Sequence, residues 1–196
     1  MANSYAVIVL AAGSSSRLGK SKQLLPYKNK TLLQYLTEEA KNSSAETVVV
    51  VLGANAEAIQ KKVSTRNIFF VINEDWKEGM ASSIGCGINE IQKINPAVDG
   101  AIIMVCDQPF VNTELLNKLI TAHSKTKKQI VTCGYDNIAG PPTLFDKKRF
   151  PELLQLKGDT GARKIVLQYE DETAIVSFPQ GAIDIDTAAD YENLQQ

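Results

Sequence analysis

The sequence predicts one doubly wound α/β domain over residues 1–196, with a mostly parallel sheet and helices on both faces. Segments with the period of strands alternate along the chain with segments that have the period of helices. The strand segments, such as 6–10 and 47–52, are continuous apolar runs, as in parallel strands covered on both faces. The 196 residues are enough for one such domain but too few for two.

The elements are predicted in order from these patterns. Strands are predicted at 6–10, 47–52, 68–72, 101–105 and 129–133. Helices are predicted at 32–40, 54–63, 80–94 and 113–123, the last with Thr113 as its N-cap. Further elements are predicted at 162–168, 173–178 and 187–194. The segment 135–151 contains Gly140-Pro141-Pro142, and we expect it to be irregular.

Charge is unevenly distributed along the chain, although the formal net charge is only −1. Residues 1–37 contain no acidic residue and five basic ones, a balance of +5, so the remainder carries −6. Such a cationic segment can attract a compact anion such as a polyphosphate, or it can be an ordinary basic surface loop. The sequence has neither the broad basic, aromatic-rich pattern of a nucleic-acid binder nor a membrane-spanning apolar run, so we expect neither partner.

The cysteines and the N-terminus predict the cellular location. Cys86, Cys106 and Cys133 lack the spacing of a metal site and form an odd set, so we interpret them as reduced thiols. The apolar stretch 5–10 has no basic residue before it, unlike a secretion signal. We therefore expect a cytoplasmic protein.

The loop after the first strand is the first place to look for a ligand. Two phosphate-binding patterns nearly fit it and fail, because Ser15 stands where the dinucleotide pattern needs glycine and Ser14 where the P-loop needs it. The small residues at 11–16 nevertheless let backbone N–H groups approach an anion. Arg17 can bind phosphate through two parallel hydrogen bonds, and Lys22 supplies a movable charge. The loop is thus better explained as a phosphate cradle than as a surface loop.

Acidic residues follow two of the apolar segments. Asp107 comes directly after the strand at 101–105, where a carboxylate can bind Mg²⁺ or cap the next helix. Asp184 and Asp186 alternate with apolar residues, which in a strand places both on one face and lets them reach the cleft together. Thr187 is the predicted N-cap of the last helix, with Asp190 completing a capping box.

Two other parts of the sequence carry side chains that can bind or react. Gly79 permits the close approach of a base, and Ser82 and Ser83 could hydrogen-bond its edge or simply cap a helix. We interpret the one histidine, His123, as a helix-end or surface residue and not as a catalyst. With a single histidine and no Ser/His/Asp pattern, the sequence does not provide the catalytic residues of a serine hydrolase.

The motifs of the first loop resemble those of the MobA-like nucleotidyltransferases: Leu10-Ala-Ala-Gly13, Arg17-x-Gly19-x-x-Lys22 and Leu24-Leu25-Pro26. The sequence is most similar to the molybdenum cofactor cytidylyltransferase branch, since the guanylyl branch typically has glycine where this chain has Ala12. The resemblance implies a Rossmann-like nucleotidyltransferase fold. It also implies that Gly13, Ser14, Arg17 and Lys22 hold the triphosphate and that Ala11 and Ala12 belong to the nucleotide-binding site.

Later motifs extend the resemblance over nearly the whole chain. Asp107-Gln-Pro matches the metal-binding aspartate of the family, and Gly79-Met-x-Ser82-Ser83 matches an element beside the cytosine. The ending that contains Asp184 and Asp186 implies a second metal contact from one of the two, with the choice left open. Gly158-Asp159-x-Gly-Ala-Arg163 and Gly140 match the acceptor side, but Pro141 replaces the histidine usual in the family.

The resemblance implies Mg²⁺-dependent transfer of CMP from CTP to the phosphate of molybdopterin cofactor, with release of pyrophosphate. Arg17, Lys22 and Asp107 would be the catalytic residues. The implied partners are CTP, a phosphorylated acceptor and, transiently, a molybdoenzyme. Two alternatives remain open. The first is a transferase with a different acceptor, such as a sugar or alditol phosphate, which Pro141 keeps open. The second is a non-catalytic binder of molybdenum cofactor, although such a binder would not need those three charged side chains.

Overall fold

A computed structural model describes residues 3–63 and 68–194. Within these ranges the strands are β1 (Tyr5–Ala11), β2 (Pro26–Tyr27), β3 (Lys30–Thr31), β4 (Thr47–Leu52), β5 (Phe69–Ile72), β6 (Gly100–Val105), β7 (Ile130–Tyr135), β8 (Ile138–Asp146) and β9 (Thr173–Ser177). The helices are α1 (Leu32–Lys41), α2 (Ala56–Lys62), α3 (Met80–Ile94), α4 (Thr113–Thr126), α5 (Phe150–Leu154), α6 (Arg163–Gln168) and α7 (Ala188–Leu194). In the same ranges, we find no helix that combines the length and the apolar character needed to cross a bilayer.

Seven of the strands form one sheet in the order β5-β4-β1-β6-β8-β7-β9, and β2 pairs separately with β3. Every neighbouring pair in the large sheet is parallel except the two pairs that involve β8. The prediction of a mostly parallel sheet is therefore confirmed.

The sheet is covered on both faces because its strands are apolar on both sides. Val7 and Val9 of β1 pack into a core formed with α1, α2, α4 and α7. Ala6 and Ile8, which point the other way, belong to a second core formed with α3, α5 and α6. This arrangement confirms the prediction of helices on both faces.

The position of β1 decides where a ligand can bind. The chain passes from β1 to β4 and β5 on one side, and then returns to β6 on the other side of β1. The reversal of strand order opens a crevice at the carboxyl ends of β1 and β6. The loops that follow these two strands therefore face each other across one edge of the sheet.

The prediction of an irregular segment at 135–151 is wrong, because β8 lies inside it. Prolines argue against a central strand because they donate no backbone hydrogen bond. Here Thr132 of β7 pairs with Thr143 of β8, whereas the next residue, Cys133, pairs with Gly140. Pro141 and Pro142 lie between these two partners on β8, where the register shifts. The break in register allows the strand to contain the two prolines.

The two predicted N-caps have different outcomes. Asn112, not Thr113, caps α4, since its side-chain oxygen accepts a hydrogen bond from the N–H of Leu115 at 2.9 Å. The capping box before α7 is confirmed: the N–H of Asp190 donates to Thr187 Oγ1 at 3.2 Å, and the N–H of Thr187 donates to Asp190 Oδ2 at 2.7 Å.

His123 lies near the end of α4, as predicted, but it is buried rather than on the surface. Its Nδ1 atom lies 3.0 Å from the hydroxyl of Tyr5, and its Nε2 atom lies 3.3 Å from Asp146 Oδ2. Tyr5 begins β1, so His123 lies near the amino end of that strand, opposite to the crevice. Burial lowers the pKa of His123 and outweighs the opposing effect of Asp146.

We expect His123 to weaken the fold in mild acid. Since the pKa is lower in the folded state, the unfolded chain binds the proton first, and stability falls as the pH drops through the ordinary histidine pKa of about 6.5. Urea unfolding at about pH 7.5 and about pH 5.5 should show a smaller loss of unfolding free energy in His123→Gln than in the wild type. Equal losses in the two proteins would contradict this assignment.

Candidate active site

Serine side chains and backbone fold the loop that follows β1. Ser15 has a φ of 55°, in the left-handed region that few residues other than glycine adopt. Its carbonyl accepts a hydrogen bond from the N–H of Leu18 at 3.1 Å, and its hydroxyl accepts one from the N–H of Lys22 at 3.0 Å. These bonds turn the chain back toward β1, so that the side chain of Lys22 is only 15% exposed.

The loop after β1, the start of α3 and the end of β6 enclose a cleft of about 570 Å³. The predicted site residues that line it are Ala11, Ala12, Gly13, Ser14, Arg17, Lys22, Gly79, Ser83, Asp107 and Asp159. A larger depression of about 650 Å³ lies against α2, but none of the predicted residues lines it. The cleft is therefore the candidate active site.

Ion pairs connect the two sides of the site. Lys22 Nζ donates to Asp107 Oδ2 and to Asp186 Oδ1, both at 3.0 Å, and Arg17 Nη2 lies 3.0 Å from Asp186 Oδ2. Burial alone would lower the pKa of Lys22, but the two carboxylates outweigh burial and raise it. A fully charged ammonium thus lies between carboxylates from two distant parts of the chain.

Asp184 and Asp186 do not line the cleft, and Asp186 contacts it through its ion pairs with Lys22 and Arg17. The segment between Ala182 and Ala188 has no regular structure, so the predicted strand alternation is wrong. Ile185 holds the segment in place, since its side chain is buried and its N–H donates to the carbonyl of Asp107 at 2.9 Å. Burial, followed by repulsion from the carboxylates of Asp107 and Asp186, raises the pKa of Asp184 to about 6.

The carboxylates provide oxygen donors suited to a divalent cation. In the described ranges, no group of three His, Cys, Asp or Glu side chains is arranged to hold a metal. Mg²⁺ commonly uses only one or two protein carboxylates, together with phosphate oxygens and water. Asp107 and Asp186 already converge on one positive charge, the ammonium of Lys22.

Gly79 brings α3 close to the loop at 157–161. It has a φ of 105°, and a Cβ atom there would lie 2.4 Å from the carbonyl carbon and oxygen of Gly158. The N–H of Ala81 donates to the same carbonyl at 3.1 Å. This contact places Asp159 in the cleft beside the start of α3.

We expect Gly79→Ala to destabilise the protein by about 1–3 kcal/mol, through both its backbone conformation and its clash. Gly85→Ala, in the same helix, is the matched control. Its Cβ would meet only Leu154 Cδ2, at 3.9 Å, so the better helix propensity of alanine should dominate. Urea unfolding of the two variants measures the difference. A Gly79→Ala variant as stable as the wild type would show that the contact is not needed.

The two predicted serines differ in their surroundings. Ser83 lines the cleft, whereas Ser82 Oγ donates to the carbonyl of Gly79 at 2.8 Å and does not line it. The side-chain amide of Asn73 donates to both hydroxyls, at 2.8 and 3.0 Å. Asn73 follows β5 and is buried, so it fixes the start of α3 against the sheet.

A smaller, mostly apolar pocket of about 240 Å³ adjoins the cleft. The two share Leu10, Met80 and Val105. Of the residues predicted on the acceptor side, Gly140 and Arg163 line this pocket together with Pro141, whereas Asp159 lines the cleft. The Nε atom of Arg163 donates to the carbonyl of Ala139 at 3.1 Å. The predicted acceptor residues therefore lie in two connected spaces.

Three buried polar side chains near the cleft were not predicted from the sequence: Gln23, which lines the cleft, and Asn73 and Gln108, which do not. Each is a polar side chain that is at least nine-tenths buried next to a predicted site residue or its contacts. Gln23 and Gln108 directly follow Lys22 and Asp107. A polar residue beside an apolar run was the only available signal, and it does not distinguish a buried amide from a surface one.

A family model described as the MobA-like NTP transferase domain matches residues 7–173. The chain belongs to this family. The matched range runs from β1 to the start of β9 and includes the loop after β1 and Asp107. The protein is thus an enzyme of the nucleotidyltransferase class, and the predicted family resemblance is confirmed.

Several curated relatives are similar to this transferase. It is 30% identical over 170 residues to nicotine blue oxidoreductase of Paenarthrobacter nicotinovorans, which covers 82% of the chain and 80% of the relative. It is 22% identical over 184 residues to molybdenum cofactor cytidylyltransferase of Escherichia coli, with 94% and 92% covered. It is 27% identical over 175 residues to molybdenum cofactor guanylyltransferase of Vibrio campbellii, with 87% and 83% covered.

A solved structure supports the fold of the transferase. The crystal structure of Rv0371c from Mycobacterium tuberculosis matches with a TM-score of 0.86 and 30% identity, over 99% of this chain and 98% of that one. A structure of Rv0371c in complex with manganese matches with a TM-score of 0.81 and 28% identity, over 98% of each chain. The fold is therefore shared with these structures, one of which contains manganese.

Proposed function

We propose that this transferase moves CMP from CTP to the phosphate of molybdopterin cofactor and releases pyrophosphate, with Mg²⁺ as its metal. The observation that carries the proposal is the ammonium of Lys22, held between Asp107 and Asp186 beside the loop after β1. This arrangement puts a cation for phosphate next to carboxylates for metal, at a cleft of about 570 Å³ that Lys22 and Asp107 line.

In the proposed reaction, an oxygen of the acceptor phosphate attacks the α-phosphorus of CTP. A new phosphorus–oxygen bond forms while the bond to pyrophosphate breaks, and the leaving group carries away the negative charge. Such transfer depends on positioning and charge stabilisation rather than on a protein nucleophile. Arg17 and Lys22 supply positive charge to the departing pyrophosphate, and the backbone amides of Gly13 and Ser14 provide further donors.

Asp107 and Asp186 would hold Mg²⁺, because their carboxylates already converge on one positive charge, the ammonium of Lys22. The bound ion would supply Lewis-acid polarisation of phosphate oxygens. With their carboxylate partners holding a metal, Lys22 and Arg17 would be free to pair with phosphate. The resident ion pairs therefore keep the charges of the site balanced before substrates bind.

The choice of CTP rests on Ala12, since the guanylyl branch that the sequence resembles typically has glycine there. Ser83 and Gly79 line the cleft and provide a hydroxyl and a close backbone approach for the base. Relatives named for cytidylyl and for guanylyl transfer are both similar to this chain, and nucleotide binding distinguishes the two.

The relative named nicotine blue oxidoreductase raises redox chemistry as a rival. The loop after β1 has Ser15 where the dinucleotide-binding pattern requires glycine, which favours nucleotidyl transfer over redox chemistry.

All three cysteines have free thiols, which supports the proposed cytoplasmic setting. There the product would pass to a molybdoenzyme through a transient contact.

Product analysis tests the acceptor. The protein is incubated with Mg²⁺ and CTP labelled at the α-phosphate, with either molybdopterin cofactor or an alditol phosphate, and the products are separated by chromatography. We expect label on the molybdenum cofactor together with released pyrophosphate. Label on the alditol phosphate alone would assign another acceptor, and no labelled product with either would contradict the proposed reaction.

A further inference from the structure

Gln23 is a buried amide at the base of the loop after β1. It lies in the 3-10 turn Lys22–Leu24, and only 1% of the residue is exposed. Its Nε2 atom donates to the carbonyl of Ala11 at 2.8 Å and to that of Gly13 at 3.0 Å. One side chain thus fixes two carbonyl groups of the segment that lines the cleft.

The carbonyl between these two is also held. Ala12 accepts a hydrogen bond from the N–H of Ala54 at 3.0 Å, so three successive carbonyl oxygens accept hydrogen bonds from the protein. Among the described residues, the N–H groups of Gly13 and Ser14 donate to no protein acceptor, and both residues line the cleft. The segment therefore has its acceptors occupied and its donors available.

We infer that Gln23 is a positioning residue that holds the backbone amides of this loop for the triphosphate of the nucleotide. A carbonyl oxygen carries partial negative charge and repels phosphate, whereas an N–H group attracts it. Because the peptide unit is planar, fixing a carbonyl also fixes the N–H of the next residue. Through the carbonyl of Gly13, Gln23 thereby fixes the N–H of Ser14, whereas the N–H of Gly13 is fixed through the carbonyl of Ala12 by Ala54. This inference rests on the proposed function, since the anion is the phosphate chain of its substrate.

A purely structural role for Gln23 would predict a loss of stability without a selective loss of anion binding. Gln108 provides a matched comparison. It is also 1% exposed, and its Nε2 atom also donates to a backbone carbonyl, that of Gly181 at 2.9 Å. In both glutamines the Oε1 atom is buried without a hydrogen-bond partner among the described residues. Gln108 holds no carbonyl of the loop after β1.

The test compares Gln23→Met with Gln108→Met, since each loses a buried amide of the same size. Isothermal titration with tripolyphosphate in the absence of divalent metal avoids any effect through Asp107, and thermal unfolding gives the stability of each variant. We expect Gln23→Met to lower tripolyphosphate affinity by about tenfold or more and Gln108→Met by less than about threefold. Equal changes in the two variants at similar melting temperatures would overturn the inference.

A second variant and a separate assay make each failure interpretable. Gln23→Glu keeps the shape but replaces the donor by a carboxylate, so its loss of tripolyphosphate binding should be at least as large. The Gln23→Glu variant replaces Gln23→Met in the comparison if Gln23→Met does not fold. Wild-type protein that binds no tripolyphosphate would overturn the inference. If the wild type transfers CMP while the Gln23 variants bind tripolyphosphate normally, the inference fails and the proposed function stands. If the wild type transfers no CMP while the Gln23 variants lose tripolyphosphate binding, only the proposed function fails.

Discussion

Replacing Lys22 by alanine is expected to lower kcat by about 100-fold or more, the usual loss when one preorganised electrostatic contact is removed. Its ammonium is the one group that contacts both Asp107 and Asp186 in the described part of the chain. Without it, no buried cation remains at this position to stabilise the departing pyrophosphate. Steady-state release of pyrophosphate from CTP measures the effect.

Lys20→Ala is the matched control for this variant. Lys20 belongs to the same loop and has the same charge, but its Nζ atom lies over the ring of Tyr191, 5.0 Å from the centroid. It does not line the cleft. We expect its kcat to stay within about threefold of the wild type. A loss under about threefold in Lys22→Ala would remove the catalytic role assigned to Lys22.

The second large effect is expected for Asp107→Ala, which should also reduce kcat by about 100-fold or more. Asp107 follows β6 at the carboxyl edge of the sheet and faces Lys22 across the crevice. Removing its carboxylate takes away a proposed metal ligand and leaves Lys22 paired only with Asp186. The metal dependence of the rate should weaken as well, which separates this variant from Lys22→Ala.

Asp171→Asn controls for the loss of one negative charge, because this exposed carboxylate precedes β9, away from the cleft. Pyrophosphate release is measured over a series of Mg²⁺ concentrations for both variants. An Asp107→Ala enzyme with an unchanged rate and an unchanged Mg²⁺ dependence would show that the metal is held elsewhere.

Elements with strong periodicity were predicted well. The bounds of β4 and α3 agree with the predicted 47–52 and 80–94, because a continuous apolar run and isoleucines on one helix face leave little ambiguity. The strand β8 could not be predicted in the same way. Its pairing depends on a register shift in its partner β7, which is a property of the sheet and not of the local sequence.

The part of the candidate site that was predicted from the sequence consists of charged residues that follow buried strands. Arg17, Lys22 and Asp107 were found because cations in a small-residue loop, and an acid after a buried strand, are unusual. The ion pairs that join them to Asp186 were not predictable, since the pairing depends on how Ile185 anchors its segment. Gln23 was missed because its two carbonyl partners become neighbours only after the loop has folded back.

Isothermal titration of CTP, GTP, ATP and UTP in the presence of Mg²⁺, with wild-type protein and Asp107→Ala, tests whether the cleft is a metal-dependent site for CTP. We expect the wild type to bind CTP in preference to the other nucleotides and Asp107→Ala to lose most of this affinity. Preference for GTP would contradict the choice of nucleotide and of product. Wild-type protein that binds none of the four would contradict the assignment of the cleft as a nucleotidyltransferase site.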